Sequence, residues 1–243
     1  MSRRLAYMIL HTGAPYLRYA VQSILPQVDK LMIFYSEKPS QGYQTDILCP
    51  DTREQLKALA GPDVIWIDGK WNNETDHVNA VRAYTDKYDW LVRLDADEIY
   101  PPGMVDEMIR QAEDTDHTRF RVPFVHFWRC FHRVCRDGSH PHRLERLRAG
   151  DGTEKTLDSK DWTWMVYHFG YAMPTKYIEY KMEISGHRPE WRSNWFKERW
   201  LANAQRDVHP VMFPHHWHAE DFDKTKLPEI MHTHPYFSKA IID

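Results

Sequence analysis

The sequence lacks any hydrophobic run long enough to cross a membrane. Of its 243 residues 42% are hydrophobic, yet no apolar stretch approaches the roughly 20 residues that a transmembrane helix needs. The apolar segment 5–10 is too short for a signal-peptide core and no small-residue cleavage site follows it, so a first β-strand is predicted there. We therefore expect a soluble, cytoplasmic protein with enough apolar residues for the core of one domain.

Cysteine is scarce as well, with only Cys49, Cys130 and Cys135 present. An odd number in a chain of this length argues against a framework of disulfide bonds. Four histidines lie near the last two cysteines: His126, His132, His140 and His142. Zinc-binding cysteines usually stand two to four residues apart and occur with a second pair. Four residues lie between Cys130 and Cys135, and no second pair is present, so reduced core cysteines are the favoured interpretation and zinc binding is the alternative.

Neither sign of charge predominates, since the formal net charge is −3 with histidine neutral. Overall charge therefore does not require a nucleic-acid partner. The distribution is uneven, because eight arginines and only two acidic residues lie between Arg119 and Arg148. Aromatic residues alternate with these arginines. That pattern fits strands with one solvated and one buried face, or a surface for a polyanion, because arginine pairs with phosphates and aromatic rings stack on bases.

The first half alternates short apolar runs with segments of helical periodicity. Strands are predicted at residues 5–10, 31–35, 64–67 and 89–94, and helices at residues 16–25, 51–59, 75–84 and 104–112. This alternation indicates an α/β fold with a mainly parallel sheet and helices on both faces. Such sheets bind ligands at the carboxyl ends of their strands, near a switch in strand order.

The second half has a different pattern. Six of the ten tryptophans lie after residue 160, and most of the fifteen histidines also lie in the second half. Strands are predicted at residues 118–128 and 142–150, and helices at 173–184 and 189–205. The region from Val208 onward is rich in proline, histidine and aromatics and receives no assignment. No internal repeat or low-complexity segment is present.

Three acidic residues follow the fourth predicted strand: Asp95, Asp97 and Glu98. They repel one another, so the turn needs a cation or hydrogen bonds to offset its charge. Alternate residues of an extended segment face the same way, so Asp95 and Asp97 can point together while Ala96 turns aside. Two carboxylates suit a Mg²⁺ or Mn²⁺ ion that completes its shell with substrate phosphates and water. A solvated acidic loop is the alternative, but the preceding apolar strand favours a metal site.

The first 110 or so residues resemble family-2 glycosyltransferases of the GT-A fold. The resemblance rests on the opening strand, on SILPQVDKLMIFY at 23–35 and on NNETDHVNAVRAYTDKYDWLVRLDADE at 72–98. The acidic turn is similar to that of the branch containing lipopolysaccharide-core glucosyltransferases. This resemblance implies a Rossmann-type fold, dependence on Mn²⁺ or Mg²⁺, and a nucleotide-sugar donor, with a UDP-sugar expected.

The resemblance also implies roles for individual residues. Asp95 would face the donor ribose or the metal, Asp97 would be the main metal ligand, and His168 would complete the metal shell, as an imidazole can beside carboxylates. A histidine packed among aromatics is the alternative for His168. The expected donor contacts are His11, Thr12 and Gly13 after the first strand, Tyr35 after the second strand, and Asp76, Asn79 and Arg82 on the third helix. Lys176 and Lys181 are further candidates for the diphosphate.

A general base and an acceptor site are expected in the second half. An inverting enzyme needs a base for the acceptor hydroxyl, and in relatives it precedes the metal histidine by some tens of residues. Asp137 is the candidate, with Asp158 and Asp161 as alternatives. The acceptor contacts are expected from Arg129, Arg133 and Arg136.

Two acceptors stay open: a hydroxymethylated DNA base, as in phage-type DNA glycosyltransferases, or a saccharide of an envelope polymer. The third hypothesis is an inactive GT-A domain that only binds nucleotides, against which the intact acidic turn argues. Residues 1–115 are expected to bind the nucleotide-sugar. Residues 116–243 are expected to bind the acceptor and to carry a C-terminal helical extension, within one compact catalytic domain.

Overall fold

A computed structural model describes residues 2–40, 42–135, 140–148, 150–158, 164–211 and 217–241. The strands are β1 (Arg4–Leu10), β2 (Lys30–Ser36), β3 (Ile65–Gly69), β4 (Trp90–Arg93), β5 (Glu98–Ile99), β6 (Arg119–Arg121), β7 (Phe124–Trp128), β8 (Arg133–Cys135), β9 (His142–Arg146), β10 (Glu154–Thr156), β11 (Val166–Tyr171) and β12 (Glu220–Asp221). The α-helices are α1 (Ala14–Ile24), α2 (Arg53–Ala60), α3 (Glu74–Asn79), α4 (Met104–Glu113), α5 (Thr175–Ile184), α6 (Glu229–His232) and α7 (Pro235–Ser238). No helix among these residues is both long enough and apolar enough to cross a membrane.

The main sheet has seven strands in the order β10-β6-β9-β4-β1-β2-β3. Its half containing β3, β2, β1 and β4 is entirely parallel, while β9 runs antiparallel to both β4 and β6. The predicted mainly parallel α/β sheet is therefore confirmed. The strand order reverses at β1, because the chain adds β2 and β3 on one side of it and β4 on the other.

Helices cover both faces of this sheet, which explains the unbroken apolar sequences of the parallel strands. Along β1, Ala6, Met8 and Leu10 point to the face covered by α1, α2 and α4. Leu5, Tyr7 and Ile9 alternate with them and pack on the other face against the α3 region.

A second sheet, in the order β12-β8-β7-β11-β5, lies outside the predicted parallel core. The single strand predicted at 118–128 is wrong, because this segment forms β6 in the main sheet and β7 in the second one. Pro123 stands between them and has no amide proton for a ladder, so one continuous strand cannot pass through it. The second sheet pairs β5 with β11 so that Glu98 lies opposite His168, which joins the acidic turn to the histidine.

The helix predicted at 189–205 is also wrong, since this range holds only the end of a 3₁₀ turn, Arg188–Glu190, and the π-helical segment Phe196–Leu201. Asn194 has a φ of 60°, which a right-handed helix cannot contain. The indole N–H of Trp195 donates to the Val208 carbonyl at 2.8 Å, and that of Trp200 donates to Thr175 Oγ1 at 3.0 Å. These tertiary contacts, rather than helical periodicity, place the tryptophans. In place of the predicted helical extension, the described residues after Val208 form strand β12, a 3₁₀ turn and the short helices α6 and α7.

Candidate functional site

The ends of β1 and β4 meet where the strand order reverses, and they line a cavity of about 200 Å³. The loop after β1 and the acidic turn after β4 touch there. A Cβ on Gly13 would lie 2.5 Å from the Cβ of Ala96, and Gly13 has a φ of +139°, so this position requires glycine. Among the predicted site residues, the cavity gathers His11, Thr12, Gly13, Asp95, Asp97 and His168, and it adds Lys181 from α5.

Asp51 organises the β1 loop, a role that the sequence analysis missed. It is buried, and its Oδ2 accepts hydrogen bonds from Thr12 Oγ1 (2.7 Å), Gly13 N (2.7 Å) and Ala14 N (3.0 Å). Its Oδ1 accepts from the Tyr177 hydroxyl at 2.5 Å. The helix predicted to begin at residue 51 begins at Arg53 instead, and Thr52 caps it by accepting from Gln55 N. One carboxylate therefore fixes the loop against α5.

His11 is held from both ring nitrogens. Nδ1 lies 2.9 Å from the Ser36 carbonyl and Nε2 lies 2.7 Å from the Tyr180 hydroxyl. Burial lowers the pKa of His11, so the neutral imidazole donates to Ser36 and accepts from Tyr180. This arrangement fixes the ring at the cavity wall between β2 and α5.

Arg143 neutralises the acidic turn from β9 and is the second residue that the sequence analysis missed. Its guanidinium pairs with Glu98 at 2.5 and 2.9 Å and with Asp95 Oδ2 at 2.8 Å. Glu98 is completely buried and Arg143 is 7% exposed. Burial raises the pKa of Asp95, but Arg143 and Arg93 more than offset this, and the net pKa is lowered. Asp95 is therefore ionised. Burial raises the pKa of Glu98 to about 8, and the Arg143 guanidinium opposes that rise, so Glu98 is the buried acceptor that holds Arg143 in place.

Asp97 faces His168 and Lys181 instead. Its Oδ2 lies 3.7 Å from His168 Nε2 and 3.7 Å from Lys181 Nζ. Burial raises the pKa of Asp97 and Lys181 opposes that rise. A Cβ on Gly170 would lie 2.6 Å from both His168 Nε2 and Lys181 Nζ, so the absence of a side chain there leaves room for both groups.

A second histidine orients His168. The Nδ1 atoms of His126 and His168 are 2.8 Å apart, so one of them donates a proton to the other. Burial lowers the pKa of His168 well below its usual value, and His126 and Lys181 add to that effect. The His168 ring is therefore neutral. If its Nδ1–H donates to His126, its Nε2 lone pair faces Asp97.

Four of the predicted donor contacts lie elsewhere. Asp76 and Asn79 are exposed on α3, and the buried residue between them that lines the cavity is His77. Arg82 forms two 2.7 Å hydrogen bonds to Glu145 at the surface, which occupies its guanidinium. Tyr35 packs on Trp66 and lines a separate cavity at the ends of β2 and β3. The prediction placed the wrong face of α3 at the cavity. A shift of one residue along a helix turns a side chain by about 100°, so His77 faces the cavity where Asp76 was expected to do so.

None of the described candidates for the base and the acceptor contacts lines this cavity. Asp137, Arg136 and Asp161 lie outside the described residues, and Asp158 is exposed. Arg129 and Arg133 line a third cavity, which shares no lining residue with the first. Lys176 lies over the Tyr177 ring at 5.3 Å, so of the two lysines only Lys181 lines the first cavity.

The arginine-rich segment is divided between the two sheets and much of it is engaged. Arg121 pairs with Glu154, Arg143 with the acidic turn, and Arg148 with Asp89. Arg146 donates to the carbonyls of Thr115 and Ala112. The local positive charge therefore does not form one continuous basic surface across the described residues.

Each of the two cysteines near the histidines lies beside one of them, Cys130 next to His132 and Cys135 opposite His126 in the β7–β8 pair. Cys135 is fully buried, and Cys130 Sγ lies 3.5 Å from His132 Nε2. Within the described ranges, no three side chains of histidine, cysteine, aspartate or glutamate converge closely enough to cage a metal ion. Among the described residues, therefore, neither the cysteines considered for zinc nor the acidic turn forms a closed metal cage.

We expect Asp51→Ala to destabilise the protein by about 3 kcal/mol, because hydrogen bonds to a charged acceptor contribute roughly 1.5–3 kcal/mol each. Urea denaturation of the variant measures this effect. Asp63→Ala, at an exposed turn, is the matched control and should change stability by less than about 0.5 kcal/mol. Equal stability of both variants would show that Asp51 does not hold the β1 loop.

Comparison with known proteins identifies no family. No protein-family model matches the sequence, and no curated protein matches it significantly. Glucosyl-3-phosphoglycerate synthase from Mycobacterium tuberculosis, solved with Mn²⁺, uridine diphosphate and phosphoglyceric acid, is 15% identical over 53% of this chain and 44% of its own, with a TM-score of 0.37. 4-Diphosphocytidyl-2C-methyl-D-erythritol synthase from Anaerococcus prevotii is 6% identical over 73% of this chain and 96% of its own, with a TM-score of 0.43. The chain thus spans less than half of the mycobacterial structure, and function must be inferred from the site residues.

Proposed function

We propose that this protein is a metal-dependent glycosyltransferase that uses a nucleotide-sugar donor, with a UDP-sugar as the expected donor. One observation carries the proposal. Asp95 and Asp97 stand at the reversal of strand order in an α/β sheet, in one cavity with a neutral histidine and a lysine. This is the place where such sheets bind ligands, and the resemblance of residues 1–110 to family-2 glycosyltransferases names the ligand class.

The donor atoms at the acidic turn suit Mn²⁺ or Mg²⁺. Asp95 Oδ1 is buried and has no hydrogen-bond partner among the described residues, its nearest cation being Arg93 Nε at 3.6 Å. Together with Asp97 and His168 Nε2 it supplies two oxygens and one nitrogen, a set that Mn²⁺ accepts. The absence of a closed three-residue cage fits an ion that takes much of its shell from substrate phosphates and water. A bound ion would stabilise the negative charge that develops on the departing diphosphate.

The chain's own groups would orient the donor and protect it from water. Lys181 is held near Asp97 by the Gly170 carbonyl (3.3 Å) and over the Tyr171 ring (4.8 Å). An ammonium in this position can contact a diphosphate. His11, fixed at both nitrogens, and the β1 loop, fixed by Asp51, provide a rigid wall beside it. Because these groups are already positioned, binding would require little further ordering.

For the acceptor we propose a saccharide hydroxyl rather than a hydroxymethylated DNA base. The described arginines of the 119–148 segment are mostly paired or lie in separate places, whereas duplex DNA needs several phosphate contacts along one surface. Sugar transfer to hydroxymethylated DNA, unmodified DNA and core oligosaccharides should be compared with each donor. Transfer to the modified DNA alone would reject the saccharide acceptor but keep the glycosyltransferase.

An inactive nucleotide-binding domain is distinguished by a simpler result. Nucleotide binding without hydrolysis or transfer of any nucleotide-sugar would support it. The proposed enzyme should instead release free sugar slowly from its own donor, because water can replace an absent acceptor.

We expect His168→Ala to raise the Mn²⁺ concentration needed for half-maximal activity by about tenfold or more, because even residues supporting a metal ligand change affinity 10- to 100-fold. Electron paramagnetic resonance of Mn²⁺ measures the binding directly, without turnover. His187→Ala is the control, since the His187 side chain is 74% exposed. An unchanged Mn²⁺ titration would place His168 among the packed aromatic residues only.

A further inference from the structure

A separate basic cavity of about 380 Å³ lies between the second sheet and the C-terminal segment. Four cationic side chains line it: Arg129, Arg133, Lys224 and Lys239. Phe131, Tyr236 and Phe237 supply apolar walls. It is separated from the acidic turn by the buried ring of Tyr16, which packs on Phe131 and Phe169 at 6.2 and 4.9 Å.

Among the described residues, no acidic group balances the charge of the basic cavity. Within the part of the chain that the structure describes, none of its four cations forms an ion pair with a carboxylate and none of its lining residues is acidic. Asp221 stands opposite Arg133 in the β8–β12 pair without an ion pair between them, and Asp223 accepts from Thr225. Gathering four like charges in a concave site costs free energy, which a bound anion would offset.

Two of the cations are held in place rather than left free. Arg129 has a φ of 59°, an unusual conformation for a residue other than glycine. Its amide donates to the Tyr171 carbonyl at 2.7 Å, and its guanidinium lies 4.6 Å from the Trp200 ring and donates to the Trp200 carbonyl. Lys224 Nζ donates to the Phe237 carbonyl at 2.5 Å and lies 4.7 Å from that ring.

A nearby backbone segment of the same protein has the same unusual conformation. Asn203, which also lines the basic cavity, has a φ of 51°. Of the four non-glycine residues with positive φ among those described, two therefore meet at this one place. Such conformations persist where the surroundings enforce them, and they concentrate at ligand sites.

We propose that the basic cavity binds a small phosphorylated compound with an aromatic or apolar body, at a site distinct from the acidic turn. Guanidinium groups match the geometry of phosphate oxygens, and an arginine with one engaged N–H keeps others for a ligand. The volume falls within the range of small-molecule sites. The aromatic walls would contact the organic part. This inference does not depend on glycosyl transfer.

Phenyl phosphate, with inorganic phosphate beside it, tests the proposal in the full chain. Calorimetry at low salt with a metal chelator present excludes binding through a divalent ion. Saturable binding of phenyl phosphate, tighter than that of inorganic phosphate, is expected. Arg133→Glu should weaken it about tenfold or more, because a nearby attractive charge becomes repulsive. Lys239→Glu, at an exposed position, should weaken it too and covers the case that Arg133→Glu fails to fold.

Two control variants locate the binding. Arg119→Glu makes the same charge change at an exposed residue outside the basic cavity and should leave affinity unchanged. Lys181→Ala removes the lysine beside the acidic turn and should also leave it unchanged. Absence of saturable binding, an equal loss in Arg119→Glu, or a loss in Lys181→Ala would each overturn the proposal. Tight, strongly salt-dependent binding of duplex DNA that Arg133→Glu abolishes would replace the small ligand with a polyanion.

Discussion

Asp97→Asn should lower the rate of sugar transfer by about a thousandfold while the fold survives. A metal acting on a leaving group supplies several kcal/mol of transition-state stabilisation, and each 1.36 kcal/mol is about tenfold in rate. The amide keeps the shape of the side chain but is a much weaker ligand. Initial rates at saturating Mn²⁺ and donor measure the loss.

Stability and activity should separate in this variant. Burial raises the pKa of Asp97, so the ionised form is disfavoured in the fold, and a neutral amide should keep or increase the free energy of unfolding. Asp63→Asn, at an exposed turn, controls for the loss of one acidic group and should keep full activity. Near wild-type turnover of a folded Asp97→Asn variant would mean that Asp97 does not hold the metal.

Arg143→Met should lower the free energy of unfolding by about 3–5 kcal/mol, the usual cost of leaving one partner of a buried ion pair alone. Glu98 is completely buried and loses both of its guanidinium contacts, and Asp95 loses one. Urea denaturation at neutral pH measures the change. Arg119→Met, on the adjacent strand and exposed, should change stability by less than about 0.5 kcal/mol.

A double variant tests the physical reason for that loss. Replacing the Glu98 carboxyl as well, in Glu98→Gln with Arg143→Met, should recover part of the lost stability, because the buried carboxyl group left without its guanidinium partner is gone. A double variant no more stable than Arg143→Met would contradict the ion-pair explanation and indicate a loss of packing alone.

The parallel core could be predicted because its signal is local. Strands that are buried on both faces appear in the sequence as continuous apolar runs, and the acidic turn directly follows one of these runs. The same reasoning located the β1 loop and the turn at one edge, since strand ends at a reversal of order lie together. The choice of His168 came from the family resemblance, and the register of β5 with β11 now places it opposite Glu98.

What could not be predicted depends on contacts between distant parts of the chain. Asp51 holds a loop 38 residues away in the sequence, and Arg143 pairs with an acid 48 residues away. No local sequence pattern around Asp51 or Arg143 indicates these contacts. Arg143 looked like one of many surface arginines because alternation on a strand does not reveal which charge is buried. The prediction of a helix at 189–205 was wrong for a related reason, since the tryptophans there are positioned by tertiary hydrogen bonds.

The most direct test of the central claim is hydrolysis of a panel of nucleotide-sugars by the purified protein, with Mn²⁺ and again with a chelator. We predict that one donor, expected to be a UDP-sugar, is hydrolysed only when the metal is present, and that Asp97→Asn abolishes this hydrolysis. Binding of nucleotides without hydrolysis of any donor, or hydrolysis that is equal with the chelator, would contradict the assignment of a metal-dependent glycosyltransferase.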